Sequence, residues 1–121
     1  MNNGTDHMTE PLQIRKLMAR LNKSKIQSFP SQGQPISAPT AHGVYLIRDV
    51  AGRIVHVGRT VRGRAGLAQR LRNHLRGQSS FVIVFLKGDG DRLRRGFTYQ
   101  YLVVPDARER AVTDRHIGAR L

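Results

Sequence analysis

The sequence predicts an α/β fold of the α+β kind, a small three-stranded, mostly antiparallel sheet flanked by helices. Three observations carry that prediction. Residues 43–47 and 53–58 are short apolar-rich runs on either side of Asp49-Val50-Ala51-Gly52, a turn signal that makes them a hairpin. Residues 97–104 alternate, with Phe97, Tyr99, Tyr101 and Val103 on one face, so they form a third strand. Leu67, Leu71 and Leu75 recur at every fourth position, which places them on one face of a helix over 67–76. At 121 residues and 39% hydrophobic side chains, the chain suffices for one domain with one modest core.

The remaining elements follow in chain order. Residues 1–9 are polar and read as disordered, and Thr9 reads as the N-cap of a helix over 11–22, with Glu10 and Pro11 in its first turn. Leu12, Ile14, Leu17, Met18 and Leu21 form its apolar face; Arg15, Lys16, Arg20 and Lys23 form the basic one. Pro30, Gly33, Pro35 and Pro39 make 28–42 a linker or loop. Arg59 to Gly66 is a basic, glycine-bearing loop, and Gly77 stops the helix that follows it. Periodicity does not settle the apolar run from Phe81 to Leu86, although Ser79 or Ser80 could cap a short helix there. Gly88-Asp89-Gly90-Asp91 is a turn, Pro105 ends the third strand, and Asp106 can cap a final helix over 106–121.

Charge narrows the function classes. Twenty-one Lys and Arg against eight Asp and Glu give a net charge of +13. Such an excess is the electrostatic footprint of a polyanion binder, most often of nucleic acid, though ribosome-associated and membrane-surface proteins share it. Arg48, Arg53, Arg59, Arg62, Arg64, Arg70, Arg72 and Arg76 surround the hairpin and the helix after it, and arginine suits bidentate phosphate contacts. The N-terminal helix either docks on the core or lies as a basic arm along DNA. No cysteine is present, which excludes disulfides and thiolate metal sites, and the five histidines show no zinc spacing. No stretch reaches the roughly 18 apolar residues of a membrane span, and the N-terminus lacks a signal-peptide core. These features read as a cytoplasmic protein with no membrane partner.

The chemistry concentrates in a paired motif. Gly43-Val44-Tyr45 lies on the first hairpin strand and His56-Val57-Gly58 on the second, followed by Arg70 and His74 at i and i+4 on one helix face. This pattern resembles the GIY-YIG nuclease family, in which two short strands carry Gly-Ile-Tyr and Tyr-Ile-Gly ahead of a helix bearing an arginine. His56 stands where that family has its second tyrosine. The resemblance spans residues 42–121, a GIY-YIG-like nuclease domain, and leaves 1–41 as an N-terminal helix and linker. It also favours a helix over 81–87.

Each residue type has a plausible task. The Tyr45 hydroxyl could position or deprotonate an attacking water if nearby charge lowers its pKa. His56 could accept a proton near neutral pH or bond a phosphate oxygen. Arg70 could neutralise charge on the non-bridging oxygens during phosphoryl displacement. Leu67, Leu71 and Leu75 trail Arg70 and His74 by about 100°, so the pair can point into a cleft while the leucines pack. Gly58 permits close backbone approach. Arg59, Arg62, Arg64 and Arg72 are the candidate nucleic-acid contacts.

The resemblance further implies a carboxylate on a later helix that binds one divalent ion, Mg²⁺ or Mn²⁺. Asp114 and Glu109 compete for that role. On a helical wheel Ala107, Ala111, Ile117, Gly118 and Leu121 cluster on one side, with Asp114 near their centre and Glu109 roughly opposite. A core-facing carboxylate is costly unless paired or metal-bound, which favours Asp114. The expected activity is hydrolysis of DNA, duplex or branched, or of RNA. The alternatives are a non-catalytic nucleic-acid-binding module, with Tyr99 or Tyr101 contacting bases, and a structural ribosome-associated protein.

Overall fold

The computed structural model describes the backbone of residues 3–61 and 65–118, and the side chains of 12–61 and 65–115. Its elements run α1 (Asn3–Lys23), β1 (Gln27–Ser28), β2 (Gly43–Arg48), β3 (Ile54–Arg59), α2 (Gly66–Leu75), α3 (Ser80–Phe85), a 3₁₀ turn (Gly90–Arg94), β4 (Thr98–Val103) and α4 (Ala107–Gly118). The protein is α+β, with one antiparallel sheet in the order β1-β4-β2-β3. The sheet has four strands rather than three, because Gln27 and Ser28 pair with Tyr99 and Thr98.

The β2–β3 hairpin forms where its turn chemistry directs. The Asp49 carboxylate accepts the backbone N–H groups of Ala51 and Arg53, and Gly52 takes a positive φ of 87° that a side chain would disfavour. The register sets Tyr45 opposite Gly58 and Ile47 opposite His56. Side chains alternate along a strand, so Tyr45, Ile47 and His56 share one face while Val44 and Leu46 take the other.

Both faces are covered. Tyr45, Ile47 and Tyr99 pack with Leu67 and Leu71 of α2, Val82 of α3 and Leu93. Val44 and Leu46 pack with Leu17 and Leu21 of α1 and with Val104. The N-terminal helix is therefore docked on the sheet and is not a free arm. Its C-terminal carbonyls are clamped by Gln100, whose side-chain amide donates to Leu21, Asn22 and Ser24. The helix also begins earlier than sequence suggests, at Asn3, so Thr9 lies inside it and residues 3–9 are helical. Pro11 forfeits one intrahelical bond, which this 21-residue helix tolerates.

The proline-rich segment is more than a linker. Phe29 and Ile36 are buried in the same core as Tyr45, and the carbonyls of Pro39 and Ala41 accept the N–H groups of Ala68 and Leu67. Those two bonds satisfy the first turn of α2, whose N-cap, Ala65, has no side chain able to do so. A Cβ on Gly66 would sit 2.2 Å from the Thr40 carbonyl oxygen, so the loop closes directly onto a glycine. At the other end Gly77 takes φ 74°, its N–H bonds to His74, and that of Gln78 bonds to Asn73, a Schellman stop. The run after it is helix: Ser79 caps α3 by accepting the Val82 N–H. The turn at 88–91 passes into the 3₁₀ turn, and Asp106 caps α4 by accepting from Arg108 and Glu109. None of the described helices is long and apolar enough to cross a membrane.

Candidate functional site

Tyr45, His56 and His74 converge on the α2–α3 face of the sheet. Tyr45 Oη lies 2.6 Å from His74 Nε2 and 3.4 Å from His56 Nε2. Their rings contact one another pairwise, with centroids 5.0 to 5.8 Å apart. The glycines of the paired motif make room for this. A Cβ on Gly58 would fall 2.3 Å from Tyr45 Oη, so residue 58 lacks a side chain because the tyrosine ring crosses it. Gly58 lies within β3 rather than after it, and what approaches it is the Tyr45 side chain. A Cβ on Gly43 would lie 2.1 Å from the Leu102 carbonyl oxygen of β4.

The expected pair on α2 meets at Tyr45, since Arg70 acts on its hydroxyl by charge and hydrogen bond and His74 bonds it directly, but the two differ in exposure. Arg70 is exposed, while His74 is fully buried against Tyr45. One turn of helix carries the chain from solvent to core. Arg70 lines a cleft of about 200 Å³ with Arg59, Thr60, Val61, Gly66, Gln69 and Asn73. Asn73 sits three residues after Arg70 on the same helix face, a relation readable from the sequence but missed. Arg72 lies on α2 but does not line this cleft, since two residues carry the helix about 200° around its axis. Arg62 and Arg64 lie outside the described residues.

Ser79 enters the site unforeseen. Its Oγ is 2.6 Å from His74 Nδ1 and accepts the Val82 N–H. Donation from the Ser79 hydroxyl to Nδ1 is the arrangement that gives that buried proton an acceptor. His74 then carries its proton on Nε2 and donates to Tyr45 Oη, which leaves the phenol proton for His56 Nε2. Of the two orders the imidazole tautomers allow, Ser79 → His74 → Tyr45 → His56 is the one that also gives the Ser79 proton an acceptor, with Arg70 as a second donor to Tyr45 Oη.

The electrostatics hold the chain neutral. Burial pushes the Tyr45 phenol up to about 12, and the opposing charge of Arg70 is too weak to reverse it. The lowered tyrosine pKa on which direct deprotonation would depend is therefore absent. Burial, with Arg70 second, lowers His56 to about 4. Burial followed by His56 and Arg70 lowers His74 to about 3. All three rings are uncharged at neutral pH. Half-buried His56, stacked on Phe81 at 4.6 Å, is the end of the chain nearest solvent.

The carboxylate brought here is Asp114. It lies 3.4 Å from Arg59 and feels both Arg59 and Arg70, whereas Glu109 makes neither link. The helical wheel located α4 imperfectly. Among the described side chains its buried positions are Arg110 and Thr113, while Ala107 is exposed; Ile117, Gly118 and Leu121 lie outside the described side chains. Arg110 donates to the carbonyls of Thr60, Val104 and Pro105, pinning α4 to the ends of β3 and β4 and so setting where Asp114 stands. An arginine on the packed face gives no apolar signal. Partial burial raises the Asp114 pKa despite the two guanidinium groups. A half-buried carboxylate next to Arg59, which lines the cleft, suits a divalent ion of the Mg²⁺ type, which takes one or two carboxylates and fills its shell with water and phosphate oxygens. Among the described residues no group of three metal-binding side chains occurs, so phosphate and water would complete such a shell.

Tyr99 and Tyr101 do not form a base-contacting surface. Tyr99 is buried against Phe29 and donates its hydroxyl proton to Ser37, and Tyr101 is half-buried against the same core. No protein-family model matches the chain, and no curated protein matches it at a significant level. The functional reading therefore rests on the site itself.

Proposed function

We propose that the protein is a divalent-metal-dependent endonuclease hydrolysing DNA phosphodiester bonds, the activity implied by the GIY-YIG resemblance of GVY 43–45, HVG 56–58 and Arg70. One observation carries the reading: Tyr45 Oη is held between two neutral imidazoles, 2.6 Å and 3.4 Å away, beside an arginine-lined cleft.

The scissile phosphate would sit in that cleft, with Arg59 holding it and Arg70 placed to meet negative charge as it develops on the non-bridging oxygens. The attacking water would lose its proton to Tyr45 Oη while the phenol proton passes to His56 Nε2, so no free tyrosinate forms ahead of attack. A phenol held near 12 makes this concerted order the favourable one. His74 would hold the oxygen of Tyr45 as a donor throughout, and its partner Ser79 would keep it in that tautomer. Asp114 is the residue that would hold Mg²⁺ or Mn²⁺, which when bound supplies Lewis-acid stabilisation of the leaving oxygen.

A second reading, a nucleic-acid-binding module without catalysis, is favoured by one fact: Tyr45 has no exposed surface in this arrangement. Incubation with supercoiled plasmid and Mg²⁺ or Mn²⁺ separates the two. Nicking that disappears with EDTA and in Arg70→Ala supports the nuclease. Salt-sensitive binding of the same plasmid with no nicking under any metal supports the binding module and sinks the catalytic reading.

A further inference from the structure

A second groove opens on the far side of His56, between the β2–β3 turn and α3. It encloses about 410 Å³ and is lined by Val50, Arg53, Phe85, Arg92, Arg95 and Phe97, together with Asp49 and Ala51. A continuous ring stack joins it to the catalytic cluster. His56 stacks on Phe81 at 4.6 Å and 21°, and Phe81 stacks on Phe85 at 5.3 Å and 16°. The stack ends at Phe85, which is 51% exposed; no further ring covers it among the described residues.

We infer that this groove binds an unpaired nucleotide of a single-stranded segment, its base stacked on Phe85 and its phosphates held by Arg53, Arg92 and Arg95. The inference rests on the reading of the Tyr45 cleft as a phosphodiester site and specifies its substrate: DNA with an unpaired strand beside the scissile bond.

Three facts converge on it. A π-face at the end of a stack extends naturally by one more flat ring, and stacking on aromatics tolerates any base. Three arginines face one aspartate in the groove, and that aspartate is already occupied. Asp49 accepts the backbone N–H groups of Ala51 and Arg53 and pairs with the Arg53 side chain at 3.0 Å, which holds its carboxyl below the usual range, chiefly through the Arg53 backbone bond. Arg95 meets Asp89 at 3.5 Å with both side chains more than half exposed, a pair weak enough to yield to phosphate. The third fact is position: two ring steps separate Phe85 from His56, so the groove adjoins the Tyr45 cluster. The alternative occupant is a protein surface covering Ile83, Val84 and Phe85, the exposed apolar side of α3. The ring of arginines favours the polyanion.

The test is binding, measured without catalysis. Fluorescence anisotropy in EDTA at one fixed salt concentration would compare a labelled single-stranded oligonucleotide with a blunt duplex of the same sequence. Phe85→Ala is expected to weaken single-strand binding by about tenfold or more and to change duplex binding by less than about twofold. Phe85→Tyr keeps the π-face and should bind as the parent does. Arg92→Gln should weaken single-strand binding and flatten its salt dependence. Circular dichroism confirms that each variant is folded. Equal single-strand affinity for Phe85→Ala and the parent overturns the inference, as does an equal loss for single strand and duplex. Unchanged DNA binding with an altered oligomeric state in Phe85→Ala also overturns it and assigns the face to protein contact. Failure of the nuclease reading looks different: no metal-dependent nicking by the parent protein, whatever Phe85 does to binding.

Discussion

The two faces of the sheet bury polar groups for opposite purposes. On the α1–α4 face, Gln100 and Arg110 are nearly or wholly buried, and each is committed to backbone carbonyls: Gln100 to the end of α1, Arg110 to the ends of β3 and β4. On the α2–α3 face, Tyr45, His74 and Ser79 are just as buried but bond side chain to side chain, and the chain of contacts ends at half-buried His56. Carbonyls cannot change protonation state, so the first arrangement fixes architecture. A hydroxyl–imidazole chain can pass a proton along its length, so the second can do chemistry. The difference shows that burial alone does not mark a site; what a buried polar group is bonded to does.

That contrast is broken most sharply at the cleft. Arg70→Ala should lower metal-dependent cleavage by about 10²- to 10³-fold, the usual effect of removing one transition-state donor. Its stability should fall by no more than about 1 kcal/mol, as for an exposed side chain whose one bond to the buried site is to the Tyr45 hydroxyl. Asp114→Ala should abolish the metal-dependent part, while Glu109→Ala leaves it intact. Initial nicking rates beside urea unfolding curves give both readouts. A large loss of stability in Arg70→Ala would place it on the architectural side of the comparison.

On the other face the expected pattern is reversed. Arg110→Ala leaves the Thr60, Val104 and Pro105 carbonyls without their donor and should cost about 3 kcal/mol by urea unfolding. Arg110→Lys should recover little, because a single ammonium group cannot span the arginine fork. Stability equal to the parent in Arg110→Ala would mean that water replaces the guanidinium and that α4 is not pinned as described.

How legible these faces were in the sequence differs for a physical reason. The hairpin, α2 and the stop at Gly77 rest on local chemistry: a turn aspartate, leucines four apart, and a glycine free to take positive φ. These were readable. β1 was not, because two residues pair with a strand some seventy positions later and leave no periodic trace. The packed side of α4 was only partly read, because the buried positions among its described side chains are arginine and threonine, which give no apolar signal. In the site, the i, i+4 relation of Arg70 and His74 placed them on one face but could not show that His74 is buried there while Arg70 stays exposed. Ser79 was legible as a cap and illegible as the partner of His74, a contact that exists only once α2 and α3 pack together.

Titration separates the faces further. His56 and His74 are lowered to about 4 and about 3 by burial, so the unfolded chain binds protons that the folded protein refuses. Stability should therefore be greatest above pH 6.5 and fall as pH drops from 6.5 towards 4. The slope is at most about 1.4 kcal/mol per pH unit for each imidazole, less for half-exposed His56. Unfolding curves between pH 7 and pH 5.5, where carboxylates stay largely ionised, isolate this effect. Replacing both histidines by asparagine should flatten the slope even though it lowers stability throughout. An unchanged slope in that variant would show that the α2–α3 face does not exclude protons.

The smallest expected effect discriminates most finely. Ser79→Ala removes the cap of α3, which should cost about 1 kcal/mol. It also removes the hydroxyl bonded to His74 Nδ1. If the Ser79 → His74 → Tyr45 → His56 order holds, the parent shows His74 protonated at Nε2 by ¹⁵N chemical shift, and Ser79→Ala shows a mixture of tautomers. Cleavage should then fall more than the lost stability explains, with KM unchanged, because phosphate contacts lie elsewhere; Ser79→Thr, which keeps both bonds, should restore it. A purely structural Ser79 would lower the unfolding midpoint and leave the tautomer and kcat alone. That result would place Ser79 with Gln100 and Arg110, as a residue whose hydrogen bond holds the fold and nothing more.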